Sequence, residues 1–197
     1  MRCKKEEFVK GAIFHIYNHS VNEIDLFYER SDYIYFLDKL KKNFSPNELG
    51  IYAYCIMPNH FHFCIKQKNN RPIYEVFNRF IVSYALHFNH KYKRMGKLFA
   101  NKLQHKRIND ERYLAEICPY IHLNPKRAGL VKKLNKWEFS NYPEWIGKRE
   151  GVLFDNELLN EIFGNSSNYI DYLKRFDNHK IKEYLYTPSK AGVSHEA

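Results

Sequence analysis

The run Met57-Pro58-Asn59-His60-Phe61-His62-Phe63, set in the apolar, β-branched and aromatic stretch from Ile51 to Ile65, constrains this chain more than any other feature. Side chains two residues apart on a strand share a face. A strand here therefore places His60 and His62 side by side and sends Phe61 and Phe63 to the opposite face. Pro58 and Asn59 divide the stretch into two strands, Ile51 to Met57 and His60 to Lys66, joined by a turn. Two neutral imidazoles held close together on a sheet can seat a divalent metal. They can equally be two half-exposed polar residues.

The flanking segments set this hairpin in a larger pattern. Gly11 to Tyr17 is rich in β-formers and reads as a strand. Ser31 can cap a helix running to about Asn43, with Ile34, Leu37, Leu40 and Phe44 on its apolar face. Pro72 opens a long helix in which Ile73, Val76, Phe77, Phe80, Ile81, Tyr84, Ala85 and Phe88 follow helical spacing. Gly96 ends the basic turn after it, and a short strand is expected between Leu98 and Ile108. The order strand–helix–strand–strand–helix–strand is the split β-α-β pattern of a ferredoxin-like α+β domain with an antiparallel sheet. One face of that sheet should carry the helices, leaving the other free for a site.

A third helix should start at Asn109 as its cap and run through Tyr113, Leu114, Ile117 and Cys118. Pro119 lacks a backbone donor and predicts a kink or restart there. Tyr120 and Asn124 stand one turn apart and face the same way, while His122 falls on another face. Trp137, Phe139, Tyr142 and Trp145 are expected in packing, and 155–163 and 166–176 as short amphipathic helices. The expected organisation is a main domain over 8–147, a small helical extension over 148–186, and a disordered tail over 187–197.

The 197 residues include 44% hydrophobic and 17% aromatic side chains, enough for a folded core. Lys and Arg number 32 against 22 Asp and Glu, a formal charge of +10 that favours a polyanionic partner, commonly nucleic acid. From Val76 to Asn109 there is no acidic residue, but there are Arg79, Lys91, Lys93, Arg94, Lys97, Lys102, Lys106 and Arg107. Tyr84, Phe88, Tyr92 and Phe99 are interleaved with them. Such residues can neutralise phosphates and stack unpaired bases; a solvated helix face followed by a basic loop has the same composition. Cys3, Cys55, Cys64 and Cys118 form no C-x-x-C pair, which fits a reduced, cytoplasmic setting. Cys64 shares the strand face of the two histidines, either as a soft ligand or as a small buried residue. The charged N-terminus leads into no leader-like apolar stretch, no segment has the length of a membrane span, and no glycine-rich nucleotide motif is present.

The segment Tyr54-Cys55-Ile56-Met57-Pro58-Asn59-His60-Phe61-His62-Phe63 resembles the His-hydrophobic-His motif of single-tyrosine HUH transposases. Tyr120-Ile121-His122-Leu123-Asn124-Pro125-Lys126-Arg127-Ala128-Gly129-Leu130-Val131 is similar to the tyrosine motif of their REP-associated branch. The resemblance spans about residues 8 to 178 and takes in the opening 11–18 and the stretch 137–142. It implies that His60 and His62 bind Mg²⁺ or Mn²⁺, that Asn124 is the third ligand, and that Tyr120 is the nucleophile. It also implies single-stranded or hairpin DNA as partner, with Lys126 and Arg127 adding DNA contacts, and no nucleotide cofactor. A monomer is implied, or a homodimer that exchanges the tyrosine helix. Attack by a tyrosine would leave a phosphotyrosine on the DNA 5′ end and a free 3′-OH. Two other functions fit the same residues: a domesticated nucleic-acid-binding module that no longer cuts, and a hydrolytic phosphodiesterase in which water attacks.

Overall fold

The computed structural model describes residues 8–151 and 154–177; Cys3, the expected tail and the end of the expected extension lie outside them. The hairpin forms as the alternation predicts. Strand β2 (Leu49–Ile56) pairs antiparallel with β3 (His60–Gln67), and Met57 N donates to the His60 carbonyl across the turn. Strand β1 (Ile13–His19) runs antiparallel to β3 and, on its other side, to β4 (Gln104–Ile108), giving the order β2-β3-β1-β4. Helix α1 (Arg30–Asn43) connects β1 to β2, and α2 (Ile73–Lys91) connects β3 to β4. The result is the ferredoxin-like α+β arrangement the element order predicts.

Both helices cover one sheet face. Phe14, Ile16, Phe61, Phe63 and Ile65 point into that layer and meet Ile73, Val76, Phe77, Phe80, Ile81, Tyr84 and Phe88 of α2 in one core. The start of α1 differs from the expectation. Ser31 does not cap it; its hydroxyl donates to Glu29, and the Asp32 carboxylate accepts the backbone N–H groups of Tyr28 and Glu29. Asp32 is itself held by Lys91 at 2.6 Å and Tyr92 at 2.7 Å, partners far along the chain. The buried face of α1 is Tyr33, Phe36 and Leu40, while Ile34 is exposed and Leu37 only partly covered. Tyr33 stacks on Phe139, and Phe36 packs on Phe61, Phe80 and Tyr84, so the larger rings take the interior positions.

The second sheet face is not free. Helix α3 (Glu111–Arg127) crosses it and forms a second core with Tyr52, Ala53, Cys55 and Cys64 from the strands. A bulge between Ile51 and Ala53 inserts Tyr52 into β2. Its carbonyl accepts from Asn141 Nδ2 at 2.9 Å and Trp145 Nε1 at 2.6 Å, which pins the short helix α4 (Tyr142–Trp145) against the strand. Residues 159–163 and helix α5 (Ser166–Asp177) complete this layer through Leu159, Phe163, Tyr169 and Leu173. Cys64 is fully buried here, as a small apolar residue.

Two expectations about α3 are corrected. Its cap is Asp110, which accepts from Arg112 N at 3.0 Å, one residue after the expected Asn109. Pro119 does not restart it: Pro119 and Pro125 both lie inside one continuous helix. Pro125 cannot donate to the Ile121 carbonyl, and the Asn124 carboxamide does so instead at 3.4 Å, while also donating to the Tyr120 carbonyl at 2.9 Å. Asn124 therefore keeps helical geometry although a proline follows it. Among the described residues, no helix is long and apolar enough to cross a membrane.

Candidate active site

On the α3 side of β3, His60 and His62 stand as the alternation requires, with ring centroids 5.2 Å apart and planes at 77°. Helix α3 lays Tyr120 against them: its ring meets that of His62 at 5.6 Å, again at 77°. The pair and the phenol are thus assembled within one chain. Tyr120 is 4% exposed and His62 1% exposed, so the contact lies below the surface. Asn124 follows one turn later; its amide nitrogen serves the helix carbonyls, which leaves its oxygen as the atom able to coordinate a cation.

The imidazoles are held uncharged. Burial lowers the pKa of His60 to about 4, with His19 adding to the effect. Burial lowers that of His62 well below the usual value, helped by His15 and His60. Neutral rings are the form that ligates metal. Among the described residues, no group of three His, Cys, Asp or Glu side chains is able to hold an ion. By donor type, two imidazoles and an amide oxygen suit a divalent ion with mixed nitrogen and oxygen ligation, with positions left open for water or a substrate oxygen. They do not fit a closed structural zinc site, which wants four protein ligands.

Several neighbours escaped the sequence reading. His15, from β1, places its Nε2 3.0 Å from His62 Nδ1, and Tyr17 stacks on His15 at 4.7 Å. His19 lies in register with His60. Their alternation along β1 was visible, but the register that brings them to the histidine pair was not. Lys132, Lys133 and Lys148 join Lys126 around an open groove of about 380 Å³ beyond the end of α3. Only the Lys132-Lys133 doublet hinted at that patch.

The basic residues expected to contact DNA separate into groups. Arg79, Lys93, Lys97, Lys102 and Lys106 are exposed. Lys97 and Lys102 edge a groove of about 870 Å³ lined also by Tyr74 and Phe99. Lys106 lies on the site face, in register with His15 and over the Tyr113 ring at 4.4 Å. Arg94 is half-buried, donating to Asn89 and lying over Phe88, and Arg107 is half-buried on β4. Lys91 differs: its ammonium bridges Glu29 and Asp32 at 2.6 Å each, so its charge is balanced by carboxylates of the same chain. Lys126 and Arg127 both pair with Asp177. Arg127, two turns after Tyr120, is close enough to the phenol to interact with it; burial lowers its pKa, and Asp177 and Tyr120 oppose that shift. His122 belongs to the scaffold. Fully buried, it contacts Tyr169 Oη at 2.6 Å and Asn141 Oδ1 at 3.0 Å.

The fold matches that of a class of DNA-transposing proteins. The chain belongs to the IS200-like transposase family, whose model matches residues 9–124. It is 27% identical over 101 residues to a Haemophilus influenzae protein that carries the name REP-associated tyrosine transposase; the match covers 46% of this chain and 57% of that relative's length. It also matches the fold of a REP-associated tyrosine transposase solved bound to a REP hairpin, with a TM-score of 0.58 and 16% identity. That alignment covers 80% of this chain and 93% of the other.

Proposed function

We propose that this chain is a metal-dependent single-strand DNA endonuclease and strand transferase that cuts hairpin-forming DNA through a 5′-phosphotyrosine on Tyr120. One observation carries the reading: the Tyr120 ring lies against His62, whose own ring adjoins His60, all in a single subunit. No exchange of α3 between chains is needed to bring them together. Membership in the transposase family and the hairpin bound by the structural relative support the same substrate class.

In this reading the hydroxyl of Tyr120 attacks the scissile phosphate. The Oη–P bond forms, the P–O3′ bond breaks, and the 3′ oxygen leaves with a proton as a free hydroxyl. A phenol has a pKa of ~10 and is a poor nucleophile while protonated. Arg127 favours the phenolate electrostatically from the same helix. A Mg²⁺ or Mn²⁺ ion held by His60, His62 and the Asn124 oxygen would polarise the phosphate and orient it in line. The exposed lysines hold the flanking backbone through phosphate contacts. Because the phosphotyrosine is still a phosphodiester, attack by a 3′-OH rejoins strands with no nucleotide cofactor.

The test is incubation with a single-stranded hairpin and Mg²⁺ or Mn²⁺, followed by denaturing electrophoresis. A covalent protein–DNA adduct that vanishes in Tyr120→Phe supports the reading; cleavage that survives Tyr120→Phe replaces it with hydrolysis by water. The 4% exposure of Tyr120 favours a second reading, in which the fold binds hairpins without cutting them. That module would bind DNA in a salt-sensitive manner, indifferent to chelator and to His60→Ala, and would yield no adduct.

A further inference from the structure

We propose that His15 is a positioning residue for His62: it accepts the Nδ1 proton of His62 and so turns the Nε2 lone pair of that ring toward the metal. The inference rests on reading His60 and His62 as ligands and adds a residue that neither motif contains.

The geometry is specific. His15 Nε2 and His62 Nδ1 are 3.0 Å apart, and both side chains are buried, at 2% and 1% exposure. Their rings are nearly parallel, at 24° with centroids 5.2 Å apart. They come from adjacent strands and meet diagonally, since His15 pairs with Cys64 and Tyr17 with His62. Tyr17 stacks on His15 at 27°, so the accepting ring is itself fixed between neighbours.

A single proton must lie between the two nitrogens, because two N–H groups, or two lone pairs, facing each other at 3.0 Å would repel. If His15 donated, His62 would carry its own proton on Nε2, and that atom could not ligate. If His62 donates from Nδ1, its Nε2 is a lone pair. Metal-bound histidines regularly give their second N–H to an acceptor that sets tautomer and ring orientation. That acceptor is often a carboxylate. A neutral imidazole performs the same task here without burying an anion, and without adding negative charge that a DNA phosphate would have to approach.

The experiment uses the full chain as wild type, His15→Phe and His15→Gln, each checked for folding by circular dichroism. Long-range ¹H–¹⁵N correlation spectra of the metal-free wild type read the His62 tautomer directly, and the proton is expected on Nδ1. Mn²⁺ affinity, read by electron paramagnetic resonance of the free ion, is expected to fall about 10- to 100-fold in His15→Phe. His15→Gln keeps an acceptor oxygen and should recover most of that loss. A His62 proton on Nε2, or a folded His15→Phe chain with unchanged Mn²⁺ affinity, overturns the proposal. Wild type that binds no Mn²⁺ would overturn the metal reading instead, and the tautomer alone would then decide whether His15 orients His62. The spectrum of the wild type also decides should His15→Phe fail to fold.

Discussion

Tyr120 and His62 meet edge to face with ring centroids 5.6 Å apart, although one rides the third helix and the other a central strand. The contact exists because α3 lies flat on the sheet face that the alternation of β3 gives to its histidines. Everything proposed about chemistry depends on that juxtaposition. The second core around Tyr52, Cys64, Ile117 and Ile121 is what maintains it.

His60 is half-buried, with its Nδ1 2.7 Å from Asn59 Oδ1 in the same turn, and its substitution should spare the fold. His60→Gln is expected to weaken Mn²⁺ binding and to reduce cleavage at limiting metal by roughly 10-fold or more, a loss partly recovered by excess metal. Titration of cleavage against Mn²⁺ concentration checks this. Activity that is indifferent to chelator in wild type and variant alike would remove the metal from the account.

Asn141 bridges two layers. Its Oδ1 accepts from Tyr54 N at 2.6 Å and from His122 Nε2 at 3.0 Å, and its Nδ2 donates to Tyr52 O. Since that oxygen can only accept, His122 carries its proton on Nε2, and the Tyr169 hydroxyl donates to Nδ1. Asn141→Ala leaves buried donors unsatisfied and should cost about 2–4 kcal/mol in urea unfolding. Loss below about 0.5 kcal/mol would show that the network is not what joins α3 to β2.

Stability should fall with acid earlier than carboxylates alone would cause. His15, His60, His62 and His122 all have folded-state pKa values lowered by burial, to about 3, about 4, well below normal, and about 4. Below pH ~6.5 the unfolded chain binds protons that the folded chain does not, so stability declines as pH falls from ~6.5 toward 4. Glu144, raised by burial, works in the opposite sense as a single group. Urea midpoints measured between pH 7 and 5 should drop steadily; a flat profile would contradict the buried, neutral state of these rings.

Lys97 and Lys102 edge the groove beside Phe99 without an observed ion pair of their own among the described residues. If they contact phosphates, Lys97→Ala and Lys102→Ala should each weaken hairpin binding across sequences and lower the salt slope by roughly 0.7–0.9. Lys91→Ala should act differently, lowering stability through Asp32 with little change in the slope. Equal slopes in all three variants would move the DNA path elsewhere.

Much of this was legible in the chain. The α2 spacing and the β3 alternation each reflect one side buried against one layer, and local periodicity reports that directly. Tyr120 and Asn124 were readable as one stripe because both sit on one helix. Asp32 was not readable as the organiser of α1, since its partners Lys91 and Tyr92 come from the far end of α2. Pro119 misled because proline propensity is a local penalty, and packing of Ile117, Cys118 and Ile121 against the sheet overrides it. The His15–His62 contact depends on strand register, which only the assembled sheet specifies.

The most direct measurement is to trap the protein–DNA adduct, digest it with trypsin, and locate the nucleotide by mass spectrometry. Tyr113 and Tyr120 fall in one peptide, so fragmentation discriminates them. The account predicts a 5′-phosphonucleotide on Tyr120. An adduct on Tyr113 or on any other residue, or cleavage with no adduct at all, would contradict it.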